Sequence, residues 1–221
     1  MKERTREILE TAVHDFIEEG RPITSEYLYA HYDFGIKPAM IRWELQALAG
    51  DGFFYQARPS GGRFPTRKAY KAYVDSITAR EEGTKAEKGF RPASREMLPK
   101  QIAEKLHLLG AGYDPGRGIF REWGLANLVS EFEEEARGEL MTIVRDIERI
   151  EERLAVYSGH VRRDELWPKV FVGETPLTES KLLSIVMGRS GAHEPFFFLA
   201  VGPLRMDYEK SLALFHAIDE S

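Results

Sequence analysis

Between Gly20 and Asp75 a short helix, a glycine-centred turn, a second amphipathic helix and a glycine-tipped hairpin succeed one another. That succession constrains the chain more than any other feature, and it reads as a winged helix-turn-helix. From Arg58 to Tyr73 the sequence holds five cations (Arg58, Arg63, Arg67, Lys68, Lys71) and no acid. A phosphate backbone is the commonest reason to gather such charge around a Gly-Gly loop. Duplex DNA is therefore the expected partner.

The local signals are explicit. Ile8, Leu9, Ala12, Val13, Phe16 and Ile17 draw one apolar stripe on a first helix. Gly20 sits where a helix C′ residue belongs, and Pro22 prevents continuation. An extended piece around Ile23 follows, and Thr24 or Ser25 caps a second helix to about His31. Asp33-Phe34-Gly35 makes the turn, and Pro38 suits the first position of a third helix. On that helix Ile41, Leu45 and Leu48 share an inward face. At 100° per residue Ala39, Trp43 and Gln46 point the other way, flanked by Met40, Arg42 and Ala47. Phe53-Phe54-Tyr55 and Arg63-Phe64-Pro65 are the hairpin strands, with Ser60-Gly61-Gly62 between them. Thr66 is expected to cap a closing helix that buries Tyr70, Tyr73 and Val74.

An outward Trp and Gln beside an Arg suit a helix that enters a major groove. The candidate DNA contacts are Lys37, Ala39, Met40, Arg42, Trp43 and Gln46 on the third helix. On the hairpin and the start of the next helix they are Arg58, Ser60, Gly61, Gly62, Arg63, Arg67 and Lys68. Arg63 is expected at the hairpin tip, where the glycines let backbone approach a phosphate.

Over the whole chain the net charge is −5 and the isoelectric point about 5.8. A general nucleic-acid coat is thereby excluded, and affinity for DNA has to come from the local basic patch. There is no cysteine, hence no disulfide, thiolate zinc site or thiol nucleophile. The amphipathic N-terminus is not read as a signal peptide, and no run approaches the ~20 apolar residues of a membrane helix. A cytoplasmic location is expected. Six histidines (His14, His31, His107, His160, His193, His216) show no metal-ligand spacing. With no P-loop and no G-x-S-x-G elbow, neither an enzyme nor a cofactor is expected.

Residues 123–157 read as one long helix, in which Leu140, Ile143, Ile147, Ile150 and Leu154 form a regular seam. This seam either packs on the chain's own sheet or pairs with a second subunit, and the five residues are the candidate dimerisation set. Strands are expected at Lys169–Val172, Leu183–Met187 and Phe196–Val201, and a closing helix from about Met206 to Ile218. Three strands with two helices leave an apolar face that a homodimer would cover. Glu131 to Glu135 is an acidic patch that suits a helix start.

Several of these segments resemble the heat-inducible transcription repressor family, HrcA. The resemblance is carried by Arg4 to Leu9, Gly20-Arg21-Pro22-Ile23 and Tyr32-Asp33-Phe34-Gly35-Ile36. It extends through Pro38-Ala39-x-Ile41-Arg42-x-Glu44 and, most specifically, Ser60-Gly61-Gly62-Arg63-Phe64-Pro65-Thr66. Near the other end Gly124-Leu125-Ala126-Asn127-Leu128 and Val201 to Glu209 are similar to family signatures. The chain departs from the family pattern at Lys37, Met40 and Trp43, where Ser, Thr and Asn are usual. It is also shorter than typical members.

The resemblance implies an α+β protein: a winged helix-turn-helix over 1–75, a linker or variable region over 76–118, and a partial GAF-like dimerisation or effector domain over 119–221. About half of the GAF-like sheet and its inserted domain are expected to be missing. The implied function is a dimeric repressor of chaperone genes at an inverted-repeat operator, with the chaperonin GroEL as a further partner. Two other readings stand beside it. One is a ligand-sensing regulator with a pocket lined by Phe196, Phe197 and Phe198; the other is a protein-interaction adaptor that lacks DNA affinity.

Overall fold

The computed structural model describes residues 1–58, 61–80, 92–132, 137–162, 164–191 and 194–219. The chain divides into two units, residues 1–82 and 83–221. Together they make a mixed α and β protein.

The N-terminal unit runs α1 (Glu3–Glu19), α2 (Ser25–His31), α3 (Pro38–Gly50), β1 (Phe54–Tyr55), β2 (Phe64–Pro65) and α4 (Arg67–Arg80). α1 ends where Gly20 turns left-handed at φ 65° and its N–H reaches the Phe16 carbonyl. Thr24 caps α2, its hydroxyl accepting from the Tyr27 N–H at 3.1 Å. The α2–α3 connection is fixed by Asp33, whose carboxylate accepts the Gly35 N–H at 2.8 Å. Ile8, Leu9, Ala12 and Val13 of α1 are buried with Leu28, Ile41, Leu45, Leu48, Phe54 and the α4 residues Tyr70, Tyr73 and Val74. The four helices and the hairpin thus close on one core, as the stripes require.

Two buried acids brace this unit. Glu10 accepts from Ser76 and Arg80 of α4. Asp15 accepts the Tyr32 hydroxyl at 2.5 Å. Thr66 stands at the N-cap of α4, its carbonyl accepting from the Tyr70 N–H at 3.2 Å, and its hydroxyl donates to the Gly52 and Phe53 carbonyls at 2.7 and 3.0 Å. Those bonds tie the foot of the hairpin to the end of α3.

The C-terminal unit contains α5 (Leu98–Leu106), β3 (Leu109–Asp114), β4 (Ile119–Trp123), α6 (Leu125–Ser130), α7 (Arg137–Glu148), α8 (Ile150–Ser158), β5 (Lys169–Val172), β6 (Leu183–Ser190), β7 (Phe196–Pro203) and α9 (Tyr208–Asp219). Its sheet has five strands in the order β4-β3-β7-β6-β5, every neighbouring pair antiparallel. Two expectations are corrected here. The sheet gains β3 and β4, so it is not the three-stranded remnant expected from the sequence. The span 76–118 is not a linker throughout: it holds the end of α4, all of α5 and β3. β3 escaped detection because Leu109-Gly110-Ala111-Gly112 lacks the branched residues that announce a strand.

The helix expected over 123–157 is also divided. Trp123 ends β4, α6 stops at Ser130, and α7 gives way to α8 at Arg149. Of the acidic patch, 133–135 lie outside the described residues, while Glu131 accepts from Arg205 at 3.3 Å.

The seam is buried inside this one chain, which corrects its assignment to a second subunit. Ile143, Ile150 and Leu154 are 0% exposed and Ile147 6%, while Leu140 is half-buried. The four buried residues share a core with Leu109, Ala111, Ile185, Met187, Phe197, Leu199 and Val201. The odd-numbered residues of β7 meet α7 and α8. Phe198 faces the other way, onto Phe215 of α9 with ring centroids 5.0 Å apart. β7 is buried along its whole length because helices cover both faces.

Behind the seam lies a buried anchor. Asp146, 1% exposed, accepts from the Glu179 and Ser180 backbone N–H groups at 2.8 and 2.7 Å and from Arg153 at 2.6 Å. Arg153 also donates to the Leu177 carbonyl and the Glu179 carboxylate. One carboxylate thereby joins α7, α8 and the loop leading to β6.

Candidate nucleic-acid interface

α3 is amphipathic in the sense its spacing predicts. Ile41 and Leu45 are 0% exposed and Leu48 1%, while Trp43 is 70% exposed and Met40 40%. Lys37, Ala39, Arg42 and Gln46 are exposed as well. An indole in water has no packing reason to be there, since burying it elsewhere would gain roughly 2–3 kcal/mol. Lys37 stands at the N-cap without a side-chain hydrogen bond, and Pro38 takes the first helical position.

The hairpin stands beside this face, and its strands pair Phe54 with Pro65 and Tyr55 with Phe64. A third short extended piece joins them. Ile23 and Arg63 exchange both backbone hydrogen bonds, at 2.9 and 2.8 Å. Gly62 is set by this contact, because a Cβ there would lie 2.6 Å from the Pro22 Cβ. The sequence reading gave the glycine to a phosphate; the neighbour that needs it is Pro22. Gly61 is exposed, its carbonyl accepting from Gln56 at 2.9 Å, and Arg58 is exposed nearby in sequence. Ser60 lies outside the described residues.

Arg63 departs furthest from expectation. It is not at the tip but immediately before β2, bridged to Ile23 and 7% exposed, and its Nη2 donates to the Gln46 Oε1 at 3.1 Å. Burial, and then the neighbouring Arg42 guanidinium, push it below the usual arginine range, against a smaller pull from Glu26. Arg42 itself donates to Glu26 of α2 at 2.5 Å. Glu26 of α2, Arg42 and Gln46 of α3, and Arg63 just before β2 therefore stand together. Sequence reasoning missed Glu26 and the Arg63–Gln46 contact, since neither pairing has a local signal.

Of the remaining cations, Arg67 and Lys68 are exposed at the start of α4. Lys68 is engaged: its Nζ donates to the Asp51 carbonyl at 2.6 Å and lies 4.3 Å from the Phe53 ring centre. A cation there suits the carbonyl end of α3. Lys71 pairs with Asp75 at 3.7 Å.

Among the described residues, the phenylalanine pocket that the ligand-sensing alternative requires does not form. Phe197 and Phe198 enter cores on opposite faces of the sheet, as alternation along a strand demands. Phe196 alone lines a cavity of about 60 Å³, with Arg95, Asp114, Arg117 and Arg121 at its rim. Among the described residues no three His, Asp or Glu side chains gather to hold a metal, and no helix is long and apolar enough to cross a membrane.

No protein-family model matches the chain. A heat-inducible transcription repressor HrcA from Leptospira biflexa is 41% identical over 85 residues, which is 38% of this chain and 25% of that protein. One from Desulforudis audaxviator is 32% identical over 108 residues, 49% of this chain and 31% of that protein. One from Desulforamulus reducens is 31% identical over 110 residues, 50% of this chain and 32% of that protein. The chain thus spans about a quarter to a third of the length of these curated relatives. Among solved structures, one described as a hypothetical protein at 2.2 Å resolution superimposes with a TM-score of 0.76. It is 14% identical, and the match covers 100% of this chain and 97% of that one, which shows a shared fold.

Proposed function

We propose that this chain, similar over 38–50% of its length to heat-inducible transcription repressors HrcA, is itself a sequence-specific repressor that binds duplex DNA. In this reading the N-terminal unit is a winged helix-turn-helix. α2 and α3 are its helix pair, α3 is the recognition helix and the β1–β2 hairpin is the wing. The observation that carries it is the outward face of α3. Lys37, Ala39, Met40, Arg42, Trp43 and Gln46 are all exposed while Ile41, Leu45 and Leu48 are buried. A helix that leaves a Trp, a Gln and cations to water beside a basic hairpin has the chemistry of a major-groove reader. Arg58, Gly61, Arg67 and Lys68 would meet phosphates, with Gly62 and Arg63 supporting from within.

The C-terminal unit would be a GAF-like effector or dimerisation domain. An inverted-repeat operator calls for two recognition helices related by a two-fold axis, and hence for a homodimer. Ile119, Trp123, Leu125 and Val129 are exposed apolar residues of β4 and α6 that suit such a contact. Chaperone genes as targets, heat as the signal, GroEL as a further partner and a cytoplasmic location follow from the relatives' role and belong to the same proposal. It involves no catalysis.

The test is fluorescence anisotropy on duplex DNA from the region upstream of the chain's own gene, at several salt concentrations. Binding should weaken as salt rises, as contacts to several phosphates require. Affinity no higher for that duplex than for random sequence, or absent at low salt, overturns the proposal.

A further inference from the structure

Gln46 is the exposed amide at the centre of the outward face of α3, and its two ends are not equally available. The Arg63 Nη2 lies 3.1 Å from the Gln46 Oε1. A guanidinium has donors only, so the amide must turn its oxygen to Arg63 and its NH₂ away. Nor is Arg63 free to leave. Its backbone is bonded in both directions to Ile23, and its side chain is 7% exposed. Arg42 is held by Glu26. The amide oxygen is thus turned to Arg63, and the NH₂ group presents two N–H donors on the outer face.

This bears directly on base choice. Adenine is read by an amide that both accepts from N6 and donates to N7, whereas guanine offers two acceptors, O6 and N7. We infer that Arg63 is a positioning residue that holds Gln46 with its N–H donors outward, so that the Arg63–Gln46 pair selects guanine rather than adenine in each half-site. The inference rests on the DNA-binding reading above and assigns a base to one position within it. Two further features favour guanine. The guanidinium groups of Arg42 and Arg63 stand close enough to influence each other electrostatically. Both add positive potential beside the most electronegative base edge of the major groove.

The experiment is selection from a randomised duplex library with the full chain, followed by sequencing. Wild type is expected to enrich guanine about fivefold or more over adenine at one position per half-site, the size of one modest base contact. Gln46→Ala should flatten that position alone. Arg63→Met releases the Gln46 oxygen and should move the same position toward adenine, a change that a merely structural role for Arg63 would not produce. Because Arg63 is packed, Arg63→Met can fail to fold, and Gln46→Glu serves as the second variant. It lies on the surface, keeps its arginine partner and has no amide donor, so guanine enrichment should vanish.

Adenine enriched by wild type at the Gln46 position overturns the inference and leaves DNA binding standing. So does an unshifted preference in folded Arg63→Met, or guanine retained by Gln46→Glu. A library from which wild type retains no motif at all overturns both.

Discussion

α3 and the α7–α8 pair carry the same kind of sequence signal and use it in opposite ways. Each has an apolar stripe at helical spacing. In α3 the stripe is met by α1, α2 and β1, all within the same 82-residue unit, and the opposite face keeps a Trp in water. In α7–α8 the stripe is met by strands that lie far away in the chain, Leu109–Asp114 on one side and Leu183–Pro203 on the other. A stripe therefore says that a face is buried, and says nothing about what buries it. Only the face left over reports on partners. On α3 that face is dense in chemistry; on α7–α8 the seam once read as an interface is already occupied.

The hardest blow to this comparison would be struck at the seam. Ile147→Asp places a carboxylate among residues with no polar partner for it, which should cost roughly 4 kcal/mol or more. The C-terminal unit is expected to unfold in calorimetry. A folded variant that merely changes its sedimentation would mean that the seam faces another subunit after all. The anchor behind the seam should be next in sensitivity. Asp146→Ala takes one of three acceptors from Arg153 and the acceptor of the Glu179 and Ser180 N–H groups, for a loss of about 1–3 kcal/mol. A loss below 1 kcal/mol in urea denaturation would remove the anchor from the account.

In the N-terminal unit the corresponding brace is weaker and closer to water. Tyr32→Phe deprives buried Asp15 of its 2.5 Å donor and should cost about 1–3 kcal/mol. The same bond makes the effect depend on pH. Hydrogen bonding to Asp15, and secondarily burial, push the Tyr32 hydroxyl up to about 12 from its ordinary value of 10.0. A group raised by folding stabilises fully below its unfolded value and loses that contribution as pH climbs through the folded one. The gap between wild type and Tyr32→Phe should hold steady up to pH 10 and then narrow toward pH 12. A constant gap across that range would show that the hydroxyl does not titrate with folding.

How much of this was legible beforehand follows the same divide. The N-terminal unit announces itself locally. Gly20, Pro22, Thr24, Asp33 and Pro38 are punctuation that acts within four residues, and the structure keeps each where the chain reads it. The position of Arg63 is not legible locally because it depends on Ile23, forty residues earlier, whose backbone bridges to it. In the C-terminal unit the strong strands β6 and β7 were evident, with their runs of branched and aromatic residues. β3 was not, since glycines and alanine carry little strand signal, yet it pairs with both β4 and β7. Without β3 the sheet looked incomplete, and an incomplete sheet made a dimer seam seem necessary. Gln46 was seen to face outward, but not that an arginine from the hairpin decides which end of its amide does so.

The smallest expected effect tests whether the outward face of α3 is shaped for an anion and not for stability. Lys37 holds the N-cap of α3 with no side-chain hydrogen bond, and its charge opposes the positive end of the helix dipole. A serine there would accept from a backbone N–H of the first turn, which at caps is worth about 0.5–1 kcal/mol. Lys37→Ser should therefore raise the melting temperature of the free protein by a few degrees while weakening its hold on DNA. The slope of affinity against salt should also fall by about one phosphate contact. Both changes have to appear together. A stabilised variant with undiminished affinity would make Lys37 an uncompensated surface charge, and a destabilised one would show that the cap is satisfied in another way. Only the combination marks a position where the free protein gives up stability that a partner restores, which is the property the proposed function requires of α3 and not of the sealed α7–α8 seam.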